Sequence, residues 1–106
     1  MKIYIDFSVF TETSSIGTVT GTLALAAVPE IGSAVILSYP LFHTEPLSVK
    51  GFSGALAVTH VLHYPEADDV KVMVMLDDLT IESVDDVERV MHFFEEGFNL
   101  NIDYHR

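Results

Sequence analysis

The chain has 106 residues, 49% of them hydrophobic, no cysteine, and sixteen acids against five Lys and Arg, giving a net charge of −11. That length predicts one domain, residues 1–106, whose core needs no covalent staple. The missing thiols exclude disulfides, a thiolate nucleophile and cysteine zinc sites, and the acidity argues against binding nucleic acid or an anionic membrane, both of which need positive charge.

Residues 2–10 alternate with period two: Ile3, Ile5, Phe7 and Val9 on one face, Tyr4, Asp6, Ser8 and Phe10 on the other. This predicts a strand with one face on the core. Thr11–Ser15 reads as a polar turn. Residues 16–28 suit a long strand, with Gly17 and Gly21 as bend or bulge points. Pro29-Glu30-Ile31-Gly32 is a turn signal, and Ser33–Tyr39 a third strand. Pro40–Lys50 is a loop whose Leu41, Phe42 and Leu47 are expected to tuck onto the body. Residues 51–64 form a fourth extended segment bent at Gly54, Pro65–Asp69 a turn, and Val70–Leu76 a fifth strand that closes an antiparallel hairpin.

The period then changes. Val84, Val87, Met91, Phe94 and Phe98 recur at spacings of three and four, which predicts an amphipathic helix from about 83 to 96. Ser83 is placed as its N-cap with Asp86 as a short capping-box partner, Gly97 as its C′ residue and Phe98 closing its end. Residues 98–104 alternate again as a final strand. The fold class is therefore α+β: a small, strongly bent antiparallel sheet or barrel of about six strands, with one C-terminal amphipathic helix before the last strand.

No secretory leader is read at the N-terminus, because Asp6 interrupts the first apolar run. The longest apolar region, 23–42, is cut by Pro29-Glu30 and Gly32-Ser33 and falls short of the ~20 apolar residues of a membrane span. A soluble, cytoplasmic protein is expected.

Catalytic patterns are weak. Gly51-Phe52-Ser53-Gly54-Ala55 has Ala55 where a nucleophile elbow requires Gly. His60 and His63 are three apart on a strand and so face opposite ways. His43, His92 and His105 are isolated. No phosphate loop is present. Asp68-Asp69 and Asp77-Asp78 offer oxygen ligands but not the spacing of a calcium loop. The chain is read as a non-enzyme, without cofactor or metal.

The charge is the informative feature. From residue 66 onward there are twelve acids against Lys71, Arg89 and Arg106, a net of −9; the first 65 residues carry −2. Such a field repels polyanions and attracts basic protein surfaces. The expected contact surface comprises Asp77, Asp78, Glu82, Asp85, Asp86, Glu88, Glu95 and Glu96, extended by Glu66, Asp68 and Asp69. A small rigid acidic domain of this kind is similar in character to bacterial immunity proteins, which implies inhibition of a basic toxin, possibly a nuclease, by covering its cationic surface. Two other readings stay open: a structural homo-oligomer (a homodimer formed edge to edge or through an apolar face) and a small-ligand-binding barrel. If the less buried aromatics (Tyr4, Phe10, Tyr39, Phe52, Tyr64, Tyr104) share a face with Met73 and Met75, they form an adaptable apolar patch.

Overall fold

Alternation along the first strand organises the whole molecule. In a computed structural model, which describes residues 1–42, 47–65 and 72–105, β1 spans Lys2–Phe10 and buries Ile3, Ile5, Phe7 and Val9 almost completely. Its antiparallel partner β2 (Ser15–Ala24) places Leu23 opposite Ile3, Gly21 opposite Ile5 and Val19 opposite Phe7. The turn between them is fixed locally: Thr11 N donates to the Ser14 carbonyl at 2.8 Å, and Thr11 Oγ1 accepts from Ser14 N at 3.1 Å.

The remaining strands are β3 (Ala34–Ile36), β4 (Ala55–His63), β5 (Val72–Leu76), β6 (Leu79–Thr80) and β7 (Asn101–Tyr104). They join one sheet in the order β3-β4-β5-β1-β2-β7, with β6 continuing beyond β5 along the same edge of β1. The predicted β4–β5 hairpin is present, with a register shift at Thr59. The α+β class and the helix before the last strand stand as expected. Three points differ. The sheet stays open and does not close into a barrel. It is mixed, because both β5 and β6 run parallel to β1. It also has seven strands, since the two-residue β6 was not anticipated. The expected turn at 65–69 and the start of strand 70–76 fall largely on residues 66–71, outside the described residues.

The helix follows its predicted apolar period. A 3-10 turn at Val84–Asp86 leads into α1 (Val87–Phe98), which buries Val87, Val90, Met91, Phe93, Phe94 and Phe98. Phe94 meets Phe7 edge-on at 5.1 Å between ring centroids, and Phe52 and Phe93 add edge-on contacts, the geometry aromatic quadrupoles favour. Because β7 is antiparallel to β2, it runs parallel to β6, so β6-α1-β7 is a crossover unit with the helix on the core face. Such a parallel return needs a connection of about this length.

The helix ends differ from expectation. Ser83 makes no side-chain cap, and Asp86 instead accepts from Arg89 Nη1 at 3.1 Å. At the other end Gly97 is still helical, and Asn99 takes the left-handed conformation at φ 56°. Gly97 serves the neighbouring segment: its carbonyl accepts from Leu41 N at 2.8 Å and Phe42 N at 3.1 Å. That satisfies one of the carbonyls a helix terminus leaves open.

Between β3 and β4, Leu41 and Phe42 bond to α1 through Gly97, and Phe52 packs on Phe93 and Phe94. Leu37 is buried, and Leu47, Val49 and Phe52 pack against the core, whereas the Leu41 and Phe42 side chains are exposed rather than tucked in. The third and second strands are shorter than predicted: beyond Ile36 only Leu37 N still bonds across, to Gly54 O, and beyond Ala24 only Leu25 still pairs, with Met1, after which Val28 turns onto the core. Gly32, at φ 91°, provides the expected turn, with Ser33 N donating to Glu30 O at 3.0 Å. Gly21 allows close approach rather than a bend: a Cβ there would come within 2.8 Å of the buried Leu100 side chain. Among the described residues no helix is long and apolar enough to cross a membrane.

Candidate protein-docking surface

The acids expected to act together fall into two groups. The first sits at a break in the strand line. Leu76 and Leu79 are both buried, so Asp77 and Asp78 between them are pushed out where β5 leaves β1 and β6 rejoins it. Asp77 N donates to Ala57 O at 2.8 Å and Asp78 N to Asp77 Oδ1 at 2.9 Å, which fixes the pair. They line a shallow cleft with Gly51, Ser53 and Thr80. Among the described residues no histidine lines it, so Ser53 has no base beside it there.

The second group follows the helix. On α1, Glu88, His92 and Glu95 are spaced by four and three residues and share one strip. With Arg89 and Tyr104 of β7 they line a groove between helix and sheet edge. Continuing toward the helix start, Asp85 and Glu88 line a cleft of about 490 Å³ with Ile16, Val84, Val87 and Tyr104. Asp85, Glu88 and Glu95 are therefore brought together around Tyr104.

The other candidates lie apart from that strip. Glu96 is exposed on α1 outside the groove, Glu82 is exposed in the connection after β6, and Asp86 is engaged by Arg89. Arg89–Asp86 is the single ion pair among the described residues, and Arg89 remains 57% exposed. Glu66, Asp68 and Asp69 lie outside the described residues.

Two contributors escaped the sequence reading. Val84 was assigned to the buried helix face but is 70% exposed, beside Tyr104 at 53%. The reason is local: the first turn is 3-10, so Val84 falls out of the 3.6-residue phase that holds Val87, Val90, Met91 and Phe94 on the sheet. Ile16, expected only as strand, borders the same cleft because β7 adds beside β2. The strip thus has an apolar centre of Val84, Ile16 and Tyr104 rimmed by Asp85, Glu88 and Glu95. An apolar centre within a charged rim is the usual anatomy of a protein interface.

The helix terminus is electrostatically mismatched. Glu95 and Glu96 occupy the last turn of α1, which holds no basic residue, although the partial negative charge of a helix C-terminus favours cations.

Histidines and metals offer less. His60 stands opposite Met75 and His63 opposite Val72, on opposite faces of the sheet. At the β2–β7 end the His105 ring lies between Ser15 Oγ at 2.5 Å and Thr18 Oγ1 at 3.0 Å, and so ties the exposed end of β7 to β2. Among the described residues no group of three or more His, Asp or Glu converges to hold a metal.

The aromatic condition is met in part. Tyr4 pairs with Met73 and Asp6 with Met75 across β1 and β5, on the sheet face opposite the helix. Tyr4, Tyr64 and Met73 line a shallow apolar cleft there, with Val72 from the start of β5 at its border. The chain matches no protein family, no curated protein and no solved structure, so any function must be argued from this geometry.

Proposed function

We propose that this protein is an acidic binding module that docks a basic partner protein on the α1–β7 strip. In the sharper form it is an immunity protein, or antitoxin, that covers the cationic surface of a toxin acting on nucleic acid. The supporting observation is the clustering of Asp85, Glu88 and Glu95 around exposed Val84 and Tyr104. The carboxylates would pair with Lys and Arg that the partner otherwise turns toward phosphate. Tyr104 and Val84 would supply the apolar anchor that long-range charge alone lacks. The acids at the helix C-terminus fit the same reading, because a bound cationic surface removes their mismatch with the dipole.

The reading is tested by affinity capture with the full chain at low and high salt, in parallel with an Asp85→Lys/Glu88→Lys variant. A basic protein held by the parent at low salt, released at high salt and lost by the variant supports the module. Complementary charge raises association rates toward 10⁸–10⁹ M⁻¹s⁻¹ from a neutral level of about 10⁵–10⁶. The variant is therefore expected to bind more slowly and with a shallower salt dependence. Equal capture by parent and variant would remove this surface from consideration.

A further inference from the structure

β7 is the last strand on its side of the sheet, and its outer edge is open. His105 N donates to Ile16 O at 2.9 Å, in register with Asp103 opposite Thr18 and Asn101 opposite Thr20. In an antiparallel ladder the bonded residues alternate, so the N–H and C=O groups of Asn101 and Asp103 turn toward β2 while those of Ile102 and Tyr104 turn away from it. Among the described residues no other backbone group bonds to these outward groups.

A short terminal strand ordinarily frays. This one is held at both ends. Leu100, which precedes it, is buried and donates its N–H to Phe94 O at 3.2 Å. His105, which follows it, sets its ring between the Ser15 and Thr18 hydroxyls. The open edge is therefore a preformed template, and a ligand that pairs with it bears little of the cost of ordering it.

The two faces of the edge differ in chemistry. Ile102 stands opposite the buried Val19, so Ile102 and Tyr104 lie on the helix side and Asp103 on the other. Glu88, His92 and Glu95 line the groove beside Tyr104; Arg89, which also lines it, is paired with Asp86. A strand laid along β7 would set one residue beside Tyr104 and these carboxylates, the next beside exposed Asp103, and a third beside half-buried Ile102.

We propose, resting on the docking reading above, that the basic partner binds by adding an extended segment to β7. The segment runs antiparallel to β7, with a basic residue opposite Tyr104, a second opposite Asp103 and an apolar residue opposite Ile102. Read in the segment's own direction the pattern is basic, basic, apolar. Backbone hydrogen bonds to Ile102 and Tyr104 supply affinity, and the side-chain pattern supplies specificity. The antiparallel direction follows from the bonds, which are slanted and weaker per residue in a parallel pair. Charge selects the occupant. A second copy of β7 would bring Asp103 and the helix acids of both copies to one seam, and like charges facing each other across strands are destabilising. A charge on an edge strand discourages indiscriminate pairing; an acid in this setting leaves a cationic strand as the favoured guest.

The test is an NMR titration of the isotope-labelled full chain with the capped peptide acetyl-Thr-Arg-Lys-Val-Thr-amide, whose residues would face His105 through Asn101 in turn. The backbone amides of Ile102 and Tyr104 are expected to shift and to exchange more slowly. N-methylation of the peptide's Arg and Val amides, which face β7, is expected to weaken binding about tenfold or more, and N-methylation of its Lys amide, which faces away, to change it by less than about twofold. A peptide with Glu in place of both basic residues is expected not to bind. Asp103→Lys, at an exposed position, is expected to weaken binding of the parent peptide about threefold to tenfold with an unchanged circular dichroism spectrum. Equal losses from the two methylation patterns, equal binding of the Glu peptide, or no shift at the edge with millimolar peptide overturns strand addition. The two failures are separable. Capture of a basic protein that depends on Asp85 and Glu88, with a peptide that ignores the edge, keeps the strip and rejects strand addition; equal capture by Asp85→Lys/Glu88→Lys and parent rejects both.

Discussion

Glu95 and Glu96 offer a direct test of whether the acidic strip is kept for binding or for folding. Both are exposed in the last turn of α1, with no basic residue in that turn. A charge near a helix end contributes about 0.3–1 kcal/mol at low ionic strength, here with an unfavourable sign. The lower half of that range applies, because the Gly97 carbonyl is already bonded by Leu41 N and Phe42 N, and Asn99 closes the end. Glu95→Gln with Glu96→Gln is therefore expected to stabilise the free protein by about 0.6–1.3 kcal/mol. For a domain of this size that raises Tm by about 3–6 °C. Urea unfolding at low salt and at 0.5 M salt reads the effect, and the gain should shrink as screening tightens to a few ångströms. A loss of stability, or a gain that salt does not reduce, would refute the reasoning, since the acids would then have structural partners. A gain in stability together with weaker capture of the basic partner is the pattern expected of residues held for function.

Other outcomes follow from the core and the helix end. Phe94 is fully buried and meets Phe7, Phe52 and Phe93 edge-on; Phe94→Ala is expected to cost about 3–5 kcal/mol, a large share of the roughly 5–15 kcal/mol that holds such a domain together. A loss below about 1 kcal/mol in urea unfolding would contradict that packing. Asn99, at φ 56°, is expected to tolerate Gly without loss, whereas Asn99→Ala costs about 1 kcal/mol because it keeps the Cβ but loses the short polar side chain whose local hydrogen bonding lets Asn adopt that region. Equal stability of the two variants would mean that the left-handed cap carries no strain.

The sequence disclosed elements whose pattern is local. The alternation of residues 2–10 is reproduced in the burial of Ile3, Ile5, Phe7 and Val9, and the helical spacing from Val87 to Phe98 predicts the face that meets the sheet. What it hid depends on distant partners. β6 is two residues long and exists as strand because Leu79 and Thr80 pair with Val9 and Phe10. The parallel pairing of β1 with β5 leaves no local signature, so an antiparallel barrel looked equally natural. The acid strip was legible as composition, but its centre was not. Val84 fits the apolar period and leaves it only because the first turn is 3-10, and Tyr104 reaches Glu88 and Glu95 only because β7 returns beside β2.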